Sequence, residues 1–415
     1  MIRIEERIAN KKAKEIYEIL RKQHIVSKQQ LLEQSTLTVS TLTRVLEDLH
    51  SSGWIEEVGF GDSTGGRRPI LYQRTAKQCY AFGLDISRIH TKLVLCDLHY
   101  TKYDTQTWAV TTDTSPDILI REVVGRIKVM MEKHQLSHDQ ILGLGIGGVG
   151  PVDRHQGIMM NPIYFPAEGW EHVAITEALE EQLAFPVLLD NGANTALLAE
   201  YWCDRESRLD HMLYVHVGTG LRSSVISEGK IVYGAVDMEG AVGQMIIQTD
   251  GPPPRDPKGN YGCLDSYVSV YAIEQQARAR LKQGRTSVLS QWVKRPEQVQ
   301  FAHLLQALQK NDEMTKEIFV QAAVYLGIGL ANLIHILHPE RIILGGPLGN
   351  SSTLFFETAV ESAKRHCYDH PDYQVDFTRG LLGEEALATG AAILVMNRLT
   401  QLPANPQTKE EQAML

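Results

Sequence analysis

Apolar residues recur at helical spacing through the first fifty residues of the chain. Over 10–24, Ile16, Ile19 and Leu20 share one helix face. Ser27 then stands as an N-cap candidate before a second helix, Lys28 to Ser35, and Thr36-Leu37-Thr38 makes a short polar break. A third helix starts at Val39 and stops at Gly53, with Val39, Leu42, Leu46 and Leu49 on its apolar stripe. Trp54 to Val58 reads as a strand, residues 59–69 as a polar glycine-rich loop, and Ile70 to Arg74 as a returning strand. Three helices and a β-hairpin in about 65 residues describe a winged helix-turn-helix.

From residue 80 the pattern changes. Apolar runs at 80–86, 91–98, 142–148, 185–191, 213–220 and 341–346 read as strands, most of them ending in glycine or an acidic residue. Predicted helices lie between several of them, and residues 270–338 read as mostly helical. That is an α/β architecture, whose ligands usually sit at the carboxyl ends of the strands. Residues 250–265 form a Pro/Gly-rich loop, the last dozen residues are polar and expected to fray, and no solenoid-type repeat is visible.

Composition narrows the class. The chain has 415 residues, 43% apolar and 22% charged, which fits two or three folded domains. No stretch of about 18 uncharged apolar residues occurs, so no membrane span is expected, and the charged start lacks the apolar core of a signal peptide. Five scattered cysteines (Cys79, Cys96, Cys203, Cys263, Cys367) make no disulfide framework and point to the cytoplasm. Residues 1–75 carry 12 Lys+Arg against 10 Asp+Glu, a balance of +2, within a chain of net charge −9. A slightly basic head on an acidic body suggests that the head is the part that meets a polyanion.

A helix-turn-helix reads base edges from the outer face of its last helix. Thr38, Ser40, Thr41, Thr43 and Arg44 lie on that face, offering hydroxyls for phosphates or bases and a guanidinium fork for guanine. Gly65, Gly66, Arg67 and Arg68 at the hairpin tip supply two further guanidiniums for a minor groove or for phosphate.

Several segments together carry a resemblance. They are STGGRRP at 63–69, GLGIGGVGPVD at 143–153, DNGAN at 190–194, GAVDMEGAVGQM at 234–245, GNYGCLD at 259–265, GIGLANLIHILHPERIILGG at 327–346 and ALATGAA at 386–392. Over nearly its whole length the chain resembles the ROK family (repressors, open reading frames, kinases), especially its xylose- and N-acetylglucosamine-type repressors. The resemblance implies a winged helix-turn-helix followed by an actin-like, sugar-kinase or ribonuclease H-like, two-lobe domain. The implied domains are residues 1–75 for DNA binding, 76–190 with the C-terminal helix near 384–398 as lobe 1, and 191–383 as lobe 2, which dimerises and senses ligand.

The departures from the family pattern bear on chemistry. Its kinases carry an Asp-Ile-Gly-Gly-Thr phosphate loop, where this chain has Asp85-Ile86-Ser87-Arg88-Ile89. The second, glycine-rich phosphate loop reads Gly218-Thr219-Gly220-Leu221-Arg222-Ser223-Ser224. The kinase catalytic Asp of Glu-Asn-Asp-Ala-Asn is Gly192, which has no side chain to deprotonate a sugar hydroxyl. Asp190 is expected to face elsewhere. The sugar-gripping Glu and His of Gly-Glu-Ile-Gly-His are Ala241 and Gln244, and the Glu after the last zinc Cys is Asp265, while Asn191 remains. Gly148, Asn191, Gln244 and Asp265 are the implied ligand contacts. Of four zinc ligands only Cys263 survives, with Gln244, Asp256 and Lys258 in the other places, so no metal and no cofactor are expected. The pairs His134/His138 and His366/His370 have metal-like spacing but read as surface histidines, and Trp54 and Trp170 read as packing residues.

These residues point to a cytoplasmic, non-enzymatic transcriptional repressor of carbohydrate uptake or catabolism genes. The expected partners are a double-stranded DNA operator, a sugar or sugar-phosphate effector, and further copies of the chain in a homodimer or tetramer, with no membrane. The alternatives are a sugar kinase with an accessory domain and a dimeric DNA-binding scaffold with a dead sugar pocket.

Overall fold

The computed structural model describes residues 3–401 apart from 9, 63–67, 163, 205–206, 208, 238 and 369. The chain divides into two compact units, one of residues 1–205 with 387–415 and the other of 206–386. The boundary follows residue 205 rather than 190, so the segment that begins at Asn191 belongs with the first unit.

The first unit opens with α1 (Lys11–Gln23), β1 (Ile25–Ser27), α2 (Lys28–Gln34) and α3 (Val39–Ser51), followed by β2 (Ile55–Phe60) and β3 (Ile70–Arg74). Each helix start is fixed by a side chain. Asn10 accepts from the Ala13 N–H, Ser27 and Gln30 form a reciprocal capping box, and Thr38 accepts from the Thr41 N–H. The strands form an antiparallel sheet of order β1-β3-β2. Ile16 and Leu20 of α1 and Leu42, Val45, Leu46 and Leu49 of α3 are buried, and Trp54 packs edge-on against Tyr17 at 5.9 Å. Val39 departs from the expected stripe. It is 58% exposed at the helix start, at the edge of the arc that the other four apolar residues define.

Next come β4 (Tyr80–Ile86), β5 (His90–Asp97), β6 (Lys102–Ala109), α4 (Pro116–Lys133), β7 (Ile141–Gly148), β8 (Val152–Asp153), β9 (Ile158–Met159), α5 (Ile175–Leu183), β10 (Val187–Asn191) and α6 (Gly192–Cys203). The main sheet has the order β10-β7-β4-β5-β6. β4, β5 and β6 form an antiparallel meander, while β7 and β10 run parallel to β4. The second unit holds β11 (Met212–Val217), β12 (Leu221–Ser227) and β13 (Lys230–Ile231). They are followed by α7 (Asp265–Val268), α8 (Val270–Lys282), α9 (Leu289–Trp292), α10 (Phe301–Gln309), α11 (Glu313–Leu337), β14 (Arg341–Gly345), α12 (Gly346–Gly349), α13 (Thr353–His366) and β15 (Asp376–Thr378). Its sheet order, β13-β12-β11-β14-β15, repeats the topology of the first: a three-stranded meander with two parallel strands added beside its first strand. The last helix, α14 (Ala386–Asn397), leads back into the first unit.

Alternation along β7 explains its glycine-rich text. In a strand successive side chains face opposite sides of the sheet. Leu144 and Ile146 face one layer, where they join Phe82 and Leu84 of β4, Leu119, Val123 and Ile127 of α4, and Ile175 and Leu179 of α5. Gly145 faces the other layer. A Cβ there would stand 1.8 Å from the Ala391 carbonyl oxygen of α14. In turn a Cβ on Gly390 would stand 1.6 Å from the Thr195 carbonyl oxygen of α6. Glycine is therefore required by close backbone approach at both places, one in each of two segments that carry the family resemblance.

The three-helix head is fastened to the rest of this unit by buried cations. Arg21, 3% exposed, donates from Nε to the Tyr100 hydroxyl at 2.7 Å, stacks 3.6 Å over the Trp202 ring, and bonds Asn397 Oδ1. Arg74, 2% exposed, donates to the Leu98 carbonyl at 2.6 Å and lies over the Tyr100 ring. Arg7 donates to the Asp139 and Ile141 carbonyls, and Lys14 to that of Gln401. Ring faces and carbonyl oxygens thus replace much of the hydration that these guanidiniums lose. Burial pushes the neighbouring Tyr17 phenol up to about 12, so it stays protonated near neutrality.

One helix bears on the expectation of no membrane span. α11 is long and apolar enough to cross a membrane by length and composition. In this fold it is the central helix of the second unit, where Ile318, Phe319, Ala322, Leu326 and Leu330 pack among Leu213, Val215, Leu304, Phe355 and Ala359.

Gly145→Val should destabilise the protein by about 3 kcal/mol or more, because its first carbon meets a backbone oxygen that cannot rotate away. Gly125→Ala, on an exposed helix position with nothing within 4 Å of its added carbon, should stabilise by about 0.5–1 kcal/mol. Denaturant unfolding of the two variants beside wild type measures both. Equal midpoints for Gly145→Val and wild type would refute the close approach.

Candidate functional site

The head presents α3 with its first turn uncovered. Thr38, Ser40 and Arg44 are exposed, and Thr41 and Thr43 half-buried. Their hydrogen-bonding capacity is not equal. The Thr38 hydroxyl caps the helix and donates to Thr41 Oγ1 at 2.9 Å. That of Thr43 donates to the Val39 carbonyl at 2.8 Å and accepts from Lys28 Nζ at 2.7 Å. Thr38 and Thr43 are largely spent on the protein itself, whereas Arg44 has no ion pair among the described residues. A cleft of about 640 Å³ runs between the start of α1 and this part of α3, lined by Lys11, Lys12, Ser40, Thr41, Arg44 and Asp48 among others. Of the expected hairpin tip, Arg68 is exposed, and Gly65, Gly66 and Arg67 lie outside the described residues.

In the first unit the stretch after β4 is a tight turn closed by Ser87. Its hydroxyl donates to the His90 carbonyl at 2.7 Å and accepts from the Ile89 and His90 N–H groups at 3.3 and 3.1 Å. Backbone amides at the end of this strand are thus consumed by the chain's own side chain. Anion cradles need such amides uncommitted. Beside the turn, His90 lies 3.5 Å from the buried Asp85 carboxylate.

Strand β10 delivers Asp190 and Asn191 to the start of α6. Asn191 is the helix cap, its Oδ1 accepting from the Asn194 N–H at 2.8 Å. Asp190 is 2% exposed and accepts from the Asn191 N–H and from Asn194 Nδ2, both at 2.8 Å. Its carboxylate is engaged on the helix start, and position 192 contributes only backbone. Gly148 lies opposite Asn191 in the β7–β10 ladder. A Cβ on it would meet Leu189 at 3.3 Å, a contact that a small shift relieves. Trp170 is buried and donates to the Thr114 carbonyl, as a packing residue does.

The second unit treats its glycine-rich loop in the same manner. Asp265, first residue of α7, turns Oδ1 onto the Leu221 N–H at 2.9 Å, while Gly218 donates to the Gly220 carbonyl. Leu221 to Ser227 is β12 itself, so the degenerate loop text is largely strand. Gln244 accepts from the Asn260 N–H on Oε1 and from Asn260 Nδ2 on its carbonyl, each at 3.0 Å. Residues 244 and 256–263 are therefore tied by amide hydrogen bonds where the family places metal ligands. Cys263 is buried with Sγ 3.2 Å from the Ser266 hydroxyl, Lys258 is exposed, and Asp256 accepts from the Lys258 N–H. Among the described residues no group of three or more His, Cys, Asp and Glu could hold a metal. His134 is held by Asp104 at 2.9 Å, and His366 bonds the Ser362 carbonyl. The four expected ligand contacts fall two in each unit, Gly148 and Asn191 in the first and Gln244 and Asp265 in the second.

Two contributions were not legible from residue types. The Ser87 hydroxyl as an internal occupant of backbone amides follows from turn geometry. Lys11, Lys12 and Lys28 beside α3 follow from tertiary packing, although their charge on either side of a helix-turn-helix was a signal.

Comparison with known proteins places the chain. The ROK family model matches residues 81–398. The xylose repressor of Caldicellulosiruptor bescii is 24% identical over 379 residues, 91% of this chain and 94% of that protein. A solved ROK family transcriptional regulator, a homologue of the Escherichia coli Mlc protein, superposes with a TM-score of 0.77 at 20% identity, covering 95% of this chain and 96% of its own. A ROK family glucokinase from Streptomyces griseus, solved with glucose and AMPPNP, gives a TM-score of 0.64 at 22% identity and covers 77% of this chain and 99% of its own. The regulators match head and body together, the kinase a smaller share, and the family match spans both sheets, so the chain belongs to the ROK family.

Proposed function

We propose that this protein is a cytoplasmic DNA-binding repressor of carbohydrate uptake or catabolism genes. Its winged helix-turn-helix head (α1 to β3) reads an operator, and its ROK body senses a sugar without phosphorylating it. The observation that carries this reading is the pairing of an uncovered α3, bearing Ser40 and Arg44, with amides that Ser87 and Asp265 occupy. The similarity to a xylose repressor across nine-tenths of the chain supports it. Arg44, Ser40 and Thr41 are the base-facing residues, with Thr38 and Thr43 shaping the helix start. The tip Gly65-Gly66-Arg67-Arg68 reaches phosphate or a minor groove. Gly148, Asn191, Gln244 and Asp265 mark the sugar-sensing surfaces. A homodimer or higher multiple supplies two heads for two half-sites about one helical turn, or a multiple of it, apart.

The test is operator binding with and without sugars. A duplex selected from a random library by the purified protein should bind it, and D-xylose or another pentose, hexose or hexosamine should change that affinity. A protein that selects no duplex would overturn the DNA-reading function. One whose affinity no sugar moves would overturn the sensing function. Arg44→Ala should cost about 1–3 kcal/mol on the selected operator and relax the preference at one base position.

Catalysis should stay absent even when the missing base is restored. General-base assistance supplies only about 10²–10⁴-fold and acts on a nucleotide that must first be bound. In Gly192→Asp the Ile89, His90 and Leu221 amides would still be taken by Ser87 and Asp265. Neither wild type nor Gly192→Asp should turn over ATP with any hexose, pentose or hexosamine. Turnover by the wild type would refute the non-catalytic reading, and turnover by the variant alone would show that those amides remain accessible to phosphate.

A further inference from the structure

The surroundings of α3 carry an inference that rests on the DNA-reading function above and goes beyond its residues. Lys11 and Lys12 stand on the side of α3 formed by Ser40, Arg44 and Asp48, across the 640 Å³ cleft. Lys28 stands on the other side, bound to Thr43. The two rows are one helix position apart: residues 40, 44 and 48 form one i, i+4 line, and residues 39 and 43 the next. None of Lys11, Lys12, Lys28 and Arg44 forms an ion pair among the described residues. Lys28 spends one of its three donors on a neutral hydroxyl, so its charge is not neutralised. In the cleft, Lys11, Lys12 and Arg44 outweigh Asp48, the one carboxylate on its lining.

On the Lys28 flank, one turn before Thr43, sits Val39, an apolar side chain 58% exposed on the first turn of the helix. Its cost in water is unexplained by packing, because Leu42, Val45, Leu46 and Leu49 form the buried face without it.

The geometry points to a duplex-DNA surface in which α3 lies along the major groove, Lys11 and Lys12 grip the phosphates of one groove wall, Lys28 grips those of the other, and Val39 covers the 5-methyl group of a thymine. The dimensions agree. A helix with side chains is about 10–12 Å across and the major groove about 12 Å wide, so a helix seated there has one phosphate wall on each side. Thymine alone offers a methyl group on the groove floor, and an apolar side chain is its natural contact. The phosphate grips confer affinity without sequence, while Val39 adds a preference at one position.

The experiment uses the full-length protein and the operator it selects from a random duplex library. Lys11→Ala combined with Lys12→Ala should lower the slope of log affinity against log salt by about 2, near 0.9 for each lost contact, and weaken operator and unrelated duplex by the same factor. Val39→Ala should lose about three- to fivefold on the operator, roughly the worth of one buried carbon group. Wild type should show the same loss when one operator thymine is replaced by uracil, which removes only the methyl, and Val39→Ala should lose nothing more on that uracil duplex. All three side chains are exposed, so circular dichroism should show the fold unchanged. An unaltered salt slope in the double variant would overturn the phosphate grips. Losses from Val39→Ala and uracil that multiply, or no uracil effect at any thymine, would overturn the methyl contact. Failure of wild type to select any duplex would instead bring down the DNA-reading function, and this surface with it.

Discussion

The backbone of α14 lies against the first sheet at a distance that no side chain can enter. Gly145 on β7 and Gly390 on α14 each face a carbonyl oxygen where a Cβ would overlap it. The contact brings residues from the end of the chain onto the sheet built by its first half, with α6 as the third partner. Much of the first unit depends on that seating. Asn397 at the end of α14 receives Arg21 of the head, the Gln401 carbonyl receives Lys14, and Arg398 lies 3.5 Å from Glu5. A helix held one methyl group farther from the sheet would displace each of these contacts at once, since packed interiors transmit strain rather than absorb it.

The proposed non-catalytic reading needs little rebuilding of such a fold. On that reading the strands and turns stay, and single side chains occupy backbone amides that an anion cradle would use. Ser87 supplies one oxygen to two amides, and Asp265 supplies one to a third. Where the family resemblance implies a metal tie, the Gln244 and Asn260 amides join the two segments with two hydrogen bonds at 3.0 Å. An amide pair needs neither thiolates nor a particular redox state. Its bonds are each modest, about 1 kcal/mol net, where a structural zinc contributes several-fold more.

Local patterns were legible in the sequence because their causes are local. The caps Ser27 and Thr38, the helix faces through Leu49, and most strands between residues 80 and 346 follow from spacing and from turn residues. Val39 misled because periodicity marks a stripe but not its width, and coverage of the first helical turn is decided by what packs beside it. Strand β12 (Leu221–Ser227) was hidden beneath a loop motif, since Gly218 to Ser224 reads as a degenerate phosphate loop. The repeated topology of the two sheets left little trace in residue types. Strand order is a property of the backbone, and the glycine pairs at the ends of both strands, Gly147-Gly148 and Gly345-Gly346, are too short a likeness to reveal it. The unit boundary fell after residue 205 instead of 190 because α6 packs against β7 and α14, a tertiary fact.

α6 also sets how the body and the head are joined within the first unit. It is 12 residues long, about 18 Å at 1.5 Å per residue, and capped at its start by Asn191. Trp202 in its last turn carries the Arg21 guanidinium stacked at 3.6 Å. One rigid element therefore holds an expected ligand contact at one end and a residue of the head at the other, with no loop between. A ligand shifts an equilibrium only by the difference in its affinity for two states. A ligand with different affinities for two placements of Asn191 would act on α6 as a whole, because buried residues from Gly192 to Glu200 fix the helix along its length. The head is attached where that helix ends, and the buried guanidiniums make the attachment stiff: separating Arg21 from Trp202, Tyr100 and Asn397 without rehydrating it leaves a charge in a medium that cannot solvate it.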